Sequence, residues 1–300
     1  MDVVLGYVFV LFAIVGTGVV AVAISRRRRK LRNLHPPETL RFRRSRGESL
    51  RRRMDELEER FIETVMIGPC VAAGFLCIPS VFVWIVPNAY SLVLFGSSIT
   101  LFVAGLIWSV QRSMRLLDKS ARARLGRMGE CVVAEALETT LAVGCHVFHD
   151  IPIKGEWGNA NIDHVVVGPY GAAVIETKMR SKPSDKAPWE NRVTFDGKTL
   201  AWPRCRDDSK TLWQVRKNAE WLESYFAKEC GTSFPVKQVV AIPGWNVIER
   251  VLDQPRVVRG EKAGEAVLQA LGVEREPRFR RGEVKRLVAA MDALCRDVEV

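Results

Sequence analysis

The sequence predicts an α/β domain preceded by three membrane-spanning helices. Three observations carry that expectation. Three uncharged apolar runs lie before residue 111, two strand-like runs flank a Gly-Pro-Tyr-Gly turn at 168–171, and helical and strand periodicities alternate from there to the end of the chain. Three hundred residues allow one or two domains. The formal net charge of +11 favours anionic partners such as nucleic acid or acidic lipid. Arginine is dense before residue 60 and again around Arg112–Arg127. The seven cysteines form no paired C-x-x-C pattern, which speaks against a zinc site and for free, reduced thiols.

The apolar runs are 3–24, 65–86 and 90–110, the last two separated by Pro87, Asn88 and Ala89. Each is long enough for a hydrocarbon core of ~30 Å. The first has no basic leader before it and no Ala-x-Ala-like site ahead of Arg26–Lys30, so it reads as an uncleaved anchor with its N-terminus outside. The positive-inside rule then puts the Arg-rich loop 25–64 in the cytoplasm, along with everything after the basic stretch that begins at Arg112. This describes an integral protein of a bacterial inner or plasma membrane. Within the loop, His35-Pro36-Pro37 breaks any helix, and Glu48–Glu63 reads as a charged helix feeding the second run. The loop's arginines read first as topology and lipid attraction, and second as a nucleic-acid patch. The expected divisions are a membrane region 1–119, an α/β domain 120–250 and a helical extension 251–300.

In the α/β region a helix opens at Gly129-Glu130 and runs to about Leu141, and Cys145–Ile153 is a short strand. The hairpin around 168–171 follows. A smaller one, 191–195 and 198–202, turns at Asp196-Gly197. Asp208–Lys228 is helical, with Leu212, Val215, Ala219, Leu222 and Phe226 at helical spacing. Val236–Ile242 is an apolar strand, Val257-Val258 adds a short one, and helices near 264–271 and 282–295 end the chain.

The hairpin carries the chemistry. With its turn centred on Pro169 and Tyr170, Val167 pairs with Ala172, and counting back sets Asp163 opposite Glu176. Opposed residues hold their Cβ atoms ~4.5–5.5 Å apart, and like charges there repel. A divalent cation is the simplest reason for two facing carboxylates in an apolar hairpin. Lys178, two residues past Glu176, points to the same face. A surface salt bridge is the bland alternative, but Ala172-Ala173-Val174-Ile175 reads as a buried strand.

The order helix, three strands, helix, strand, with Glu130 on the first helix, Asp163 on the second strand and Glu176-Thr177-Lys178 on the third, resembles the PD-(D/E)xK nuclease fold. It is more closely similar to the nuclease-related domain, NERD, over about residues 120–250. Gly126-x-x-Gly129-Glu130, Asn161-Ile162-Asp163-His164, Glu176-Thr177-Lys178 and Gln214 are the matching residues. The resemblance implies a restriction-endonuclease-like core, a central mixed sheet flanked by helices. It also implies a magnesium- or manganese-dependent phosphodiester hydrolase acting on nucleic acid, DNA rather than RNA.

On that reading Asp163, Glu176 and the backbone carbonyl of Thr177 hold Mg²⁺ or Mn²⁺, which hard oxygens suit. Lys178 orients water and offsets carboxylate repulsion. Glu130 is a third carboxylate, although a glutamate in a first helical turn is also favoured by the helix dipole. Gln214 contacts substrate or is simply exposed. His164 faces the other way and packs in the core. Lys154, Arg180, Lys182, Arg216 and Lys217 are the candidate phosphate contacts. Trp157, Trp189, Trp202, Trp213 and Trp221 could stack bases, though the helical spacing of Trp213 and Trp221 suits the core. The competing expectation is an inactive, membrane-tethered module that binds nucleic acid or a protein.

Overall fold

The computed structural model describes residues 41–85, 89–153, 160–181, 191–203, 206–231, 234–251, 255–296 and 298–299, and a few positions before residue 28. The chain divides into two compact units. The first includes Arg52–Ala123, and the second joins Pro37–Arg51 to Arg124–Val300.

In chain order the elements are β1 (Arg41–Phe42), α1 (Glu48–Ile85), α2 (Ala89–Leu137), β2 (His146–Ile153), β3 (Ala160–Gly168), β4 (Gly171–Thr177), β5 (Arg192–Phe195), β6 (Leu200–Ala201) and α3 (Lys210–Cys230). They continue with β7 (Val236–Ile242), β8 (Asn246–Glu249), β9 (Arg256–Arg259), α4 (Ala263–Leu271), α5 (Arg281–Cys295) and β10 (Val298–Glu299).

The first unit is built from parts of α1 and α2. Inside it Gly105 meets the Ala72 methyl at 3.1 Å, so small residues let the helices approach closely, and Ser109 donates to the Thr64 carbonyl. Among the described residues no helix is long and apolar enough to cross a membrane. Of the three expected spans, 3–24 lies almost wholly outside the described residues. The runs 65–86 and 90–110 fall largely on α1 and α2 but are not borne out as spans. Both helices continue beyond these runs into charged sequence, α1 towards Glu48 and α2 towards Leu137. Their side chains are nonetheless apolar and open, with Val93, Leu101, Val103, Ile107, Trp108 and Val110 all exposed.

The second unit is an α/β sandwich around a five-stranded mixed sheet of order β2-β3-β4-β7-β9. β2, β3 and β4 run antiparallel in turn, while β4, β7 and β9 are parallel. On one face Val165, Val174 and Val240 pack with Leu212, Val215 and Leu222 of α3 and with Leu287 and Met291 of α5. On the other, Val166, Ala173, Ile175 and Val239 pack with Val133 and Leu137 of α2 and with Val267 of α4. Burial on both faces explains why β4 reads as a continuous apolar run rather than an alternating one. A small sheet, β6-β5-β8, adds the parallel strand β8, which was not foreseen. The Asp196-Gly197 turn forms as expected, with Gly197 at φ +95° and the Asp196 carboxylate accepting from the N–H groups of Lys198 and Thr199.

Two expectations need correcting. The helix bearing Glu130 does not open at Gly129, because α2 runs unbroken from Ala89. No proline interrupts it, and Gly126 and Gly129 serve close packing instead of a helix start. A Cβ on Gly129 would stand 2.8 Å from that of Met179, and one on Gly126 would stand 3.2 Å from Leu50 Cδ1. The helix-dipole explanation for Glu130 therefore falls. The arginines after residue 40 also have internal partners. Arg44 pairs with Asp150, Arg46 with Glu138 and Arg43 with Asp292, and β1 pairs with β10.

Candidate active site

The hairpin register is the expected one. Val167 pairs with Ala172 and the ladder reaches His164–Ile175, one step short of Asp163 and Glu176. At that step the half-buried Asp163 turns its Oδ2 to accept the Thr177 N–H at 2.7 Å. Glu176 is buried and accepts from the Asn218 amide at 3.3 Å. Glu130, brought in from α2 by the glycine-lined approach to β4, is buried as well. Its Oε2 finds no hydrogen-bond partner among the described residues. The neighbouring Thr177 Oγ1 is likewise without one.

The three carboxylates feel one another. Burial, and then the Asp163 charge, pushes Glu130 up to about 9. Burial pushes Asp163 up to about 7 despite the opposing Thr177 N–H and Lys178 ammonium. Glu176 is held well above the usual carboxylate range by burial, then by Asp163, with Glu130 adding to it and Lys178 working against it. Shifts of this kind arise where acids are desolvated beside like charges, and they concentrate at functional sites. The half-buried Lys178 has its backbone N–H tied to the Ala241 carbonyl at 2.9 Å.

Among the described residues no three His, Cys, Asp or Glu side chains are gathered closely enough to hold a metal as they stand. The fit of a divalent cation rests on chemistry: hard oxygen donors, mutual repulsion and a buried carboxylate oxygen without a partner.

Gln214 is half-buried on α3, one turn before Asn218. Arg216 is exposed on the same helix, and Lys217 pairs with Glu220. Arg180 is engaged structurally: it pairs with Asp208 at 2.9 Å, stacks over Trp202 at 4.4 Å, and its carbonyl accepts from Trp245. Lys154, Lys182, Trp157 and Trp189 lie outside the described residues. His164 is fully buried as expected, its Nδ1 2.9 Å from that of His149. One ring donates and the other accepts, and burial lowers both, His149 to about 4. Trp213 is not in the core but 51% exposed.

Two polar positions beside the candidate site escaped the sequence reading. Asn218 lies one turn beyond Gln214 on an otherwise apolar face, and that polar interruption was the available signal. Asp150, at φ +52°, stands in β2 between the pairs His149–His164 and Ile151–Ile162, level with Asp163. It accepts from Arg44, the Ser49 N–H and Asn161.

Searches against curated proteins and against solved structures returned no match. Residues 125–243 match the family model of the nuclease-related domain, NERD, and that segment contains the helix, hairpin and second helix that gather Glu130, Asp163, Glu176, Lys178 and Asn218.

Proposed function

We propose that this protein is a metal-dependent nuclease that hydrolyses phosphodiester bonds of DNA. The observation that carries the reading is the trio Glu130, Asp163 and Glu176. These are desolvated and mutually repelling acids beside Lys178, and one buried oxygen lacks a partner among the described residues. Asp163 and Glu176, with the Thr177 carbonyl, would hold Mg²⁺ or Mn²⁺. Bound there, the ion would polarise the scissile phosphate and acidify a water. Lys178, whose charge acts on both Asp163 and Glu176, would orient the attacking water and stabilise the charge that develops. Asn218 fixes the Glu176 carboxylate, and Gln214 one turn earlier faces the substrate. Glu130 supplies a further acceptor for the proton leaving the water. The nuclease-related family match and the net charge of +11 support the substrate class.

The site would work at the cytoplasmic face of a membrane. The uncharged run 90–110, its exposed apolar side chains and the basic stretch beginning at Arg26 support this. A second reading, an inactive tethered module that binds nucleic acid or a protein, draws on one observation. No metal-ready group of three side chains stands among the described residues.

The test is incubation of the full chain in detergent with linear, circular and single-stranded DNA and with RNA, with and without Mg²⁺ or Mn²⁺. Cleavage should need the metal and vanish in Asp163→Ala and Lys178→Ala. Equal activity in wild type and variants would mean a contaminant, and binding without cleavage would favour the second reading.

A further inference from the structure

Beside the carboxylates lies a cavity of about 330 Å³, of whose lining the hydrolytic reading uses only Gln214 and Asn218. One stripe of α3 lines most of it: Lys210, Trp213, Gln214, Lys217, Asn218 and Trp221. The spacing of three and four residues puts these side chains on one helical face. Trp221 stacks on Tyr225 at 5.3 Å with the rings nearly parallel, so its indole is braced. Trp213 is half exposed, an expensive place for an indole that only packs. Asn218 belongs both to this cavity and to Glu176, to which it donates at 3.3 Å. The cavity is therefore one side chain away from the proposed reaction centre.

We infer that this cavity is a subsite for one unpaired nucleotide of the substrate strand, with its base stacked on Trp213. The inference rests on the nuclease reading and adds the form of the substrate. A volume near the lower limit of ligand sites, about 300 Å³, admits one nucleotide and excludes a duplex. Aromatic faces bind any unpaired base, whereas a paired base hides its faces in the stack. Lys210 at the cavity gives the charge a phosphate requires, and Gln214, with the Asn218 side-chain carbonyl oxygen, gives polar groups for a base edge. An apolar ligand would leave Lys210 and Gln214 unmatched.

The test is binding of the full chain, in chelator, to a short oligothymidine, an abasic strand of equal length and a duplex. Wild type should prefer oligothymidine to the abasic strand, with quenching of tryptophan fluorescence. Trp213→Ala should weaken oligothymidine binding on the order of ten- to a hundred-fold. Trp213→Phe should keep most of it, and duplex binding should not change in either variant. Equal affinity for oligothymidine and the abasic strand, or unchanged oligothymidine binding in Trp213→Ala, overturns the subsite. Equal loss on all three nucleic acids overturns it too. Failure of the nuclease reading looks different: the base-dependent binding persists while no strand is cut when metal is added.

Discussion

Asp150 and Asp208 are buried carboxylates in the same α/β unit as Glu130 and Glu176, but their surroundings are opposite. Asp150 accepts from Arg44, the Ser49 N–H and the Asn161 amide. Asp208 accepts from the N–H and hydroxyl of Thr211 and pairs with Arg180. Its burial would raise it, yet those bonds, with Lys178 and Arg180, hold it below the ordinary value. Among the described residues Glu176 by contrast has one amide donor, and Glu130 has a buried oxygen with none. A fold that satisfies two buried acids completely has the means to satisfy the others. Under-compensation at Glu130, Asp163 and Glu176 is thus a property of the site, and it is what the proposed cation would relieve.

The largest effect should come from the satisfied set. Asp150→Ala breaks the buried ion pair with Arg44 and removes the acceptor for the Ser49 N–H and the Asn161 amide, which should cost about 3–5 kcal/mol in urea unfolding. Glu176→Gln should do the reverse. Its metal-free stability should hold or rise because repulsion is relieved, while cleavage falls on the order of 10²–10³-fold, as when an electrostatic catalytic contact is lost. A Glu176→Gln protein as destabilised as Asp150→Ala would erase the distinction between the two sets.

The pH dependence sharpens the same contrast. Glu130 and Asp163 bind protons more tightly folded than unfolded, so their contribution is whole below the ordinary values of 4.5 and 3.8 and is lost as pH rises through about 9 and about 7 respectively. Metal-free melting temperature should therefore fall between about pH 5 and pH 9. The stabilisation given by Mn²⁺ should grow over that range, since binding requires the deprotonated acids. Asp208, with a lowered value, contributes above 3.8 and loses that contribution only in acid. Smallest of all, Arg216→Ala should weaken DNA binding uniformly across sequences and reduce the salt slope by about 1.

The central hairpin was legible because a Gly-Pro-Tyr-Gly turn between two apolar runs fixes register without help from the rest of the chain. Its ladder runs as counted, from Gly168–Gly171 to His164–Ile175. The surroundings were harder. Asp150 depends on a backbone at φ +52° and on Arg44, over a hundred residues earlier, and neither leaves a local pattern. Trp213 shares a helix with Trp221, but the core face is set by Leu212, Val215, Ala219 and Leu222, and Trp213 lies off it. The start of α2 was misjudged because two glycines that permit close packing look the same in sequence as glycines that begin a helix. The runs 65–86 and 90–110 were legible as helices, and among the described residues no helix is long and apolar enough to cross a membrane.

The comparison turns on whether the under-compensated acids take up a cation. Titration of Mn²⁺ into the full chain in detergent at pH 8, by calorimetry in two buffers of different ionisation enthalpy, measures this directly. Saturable binding with proton release is expected in wild type, with both lost in Asp163→Asn and Glu176→Gln and retained in Asp208→Asn. Binding unchanged by Asp163→Asn and Glu176→Gln, or absent from wild type, would contradict the account.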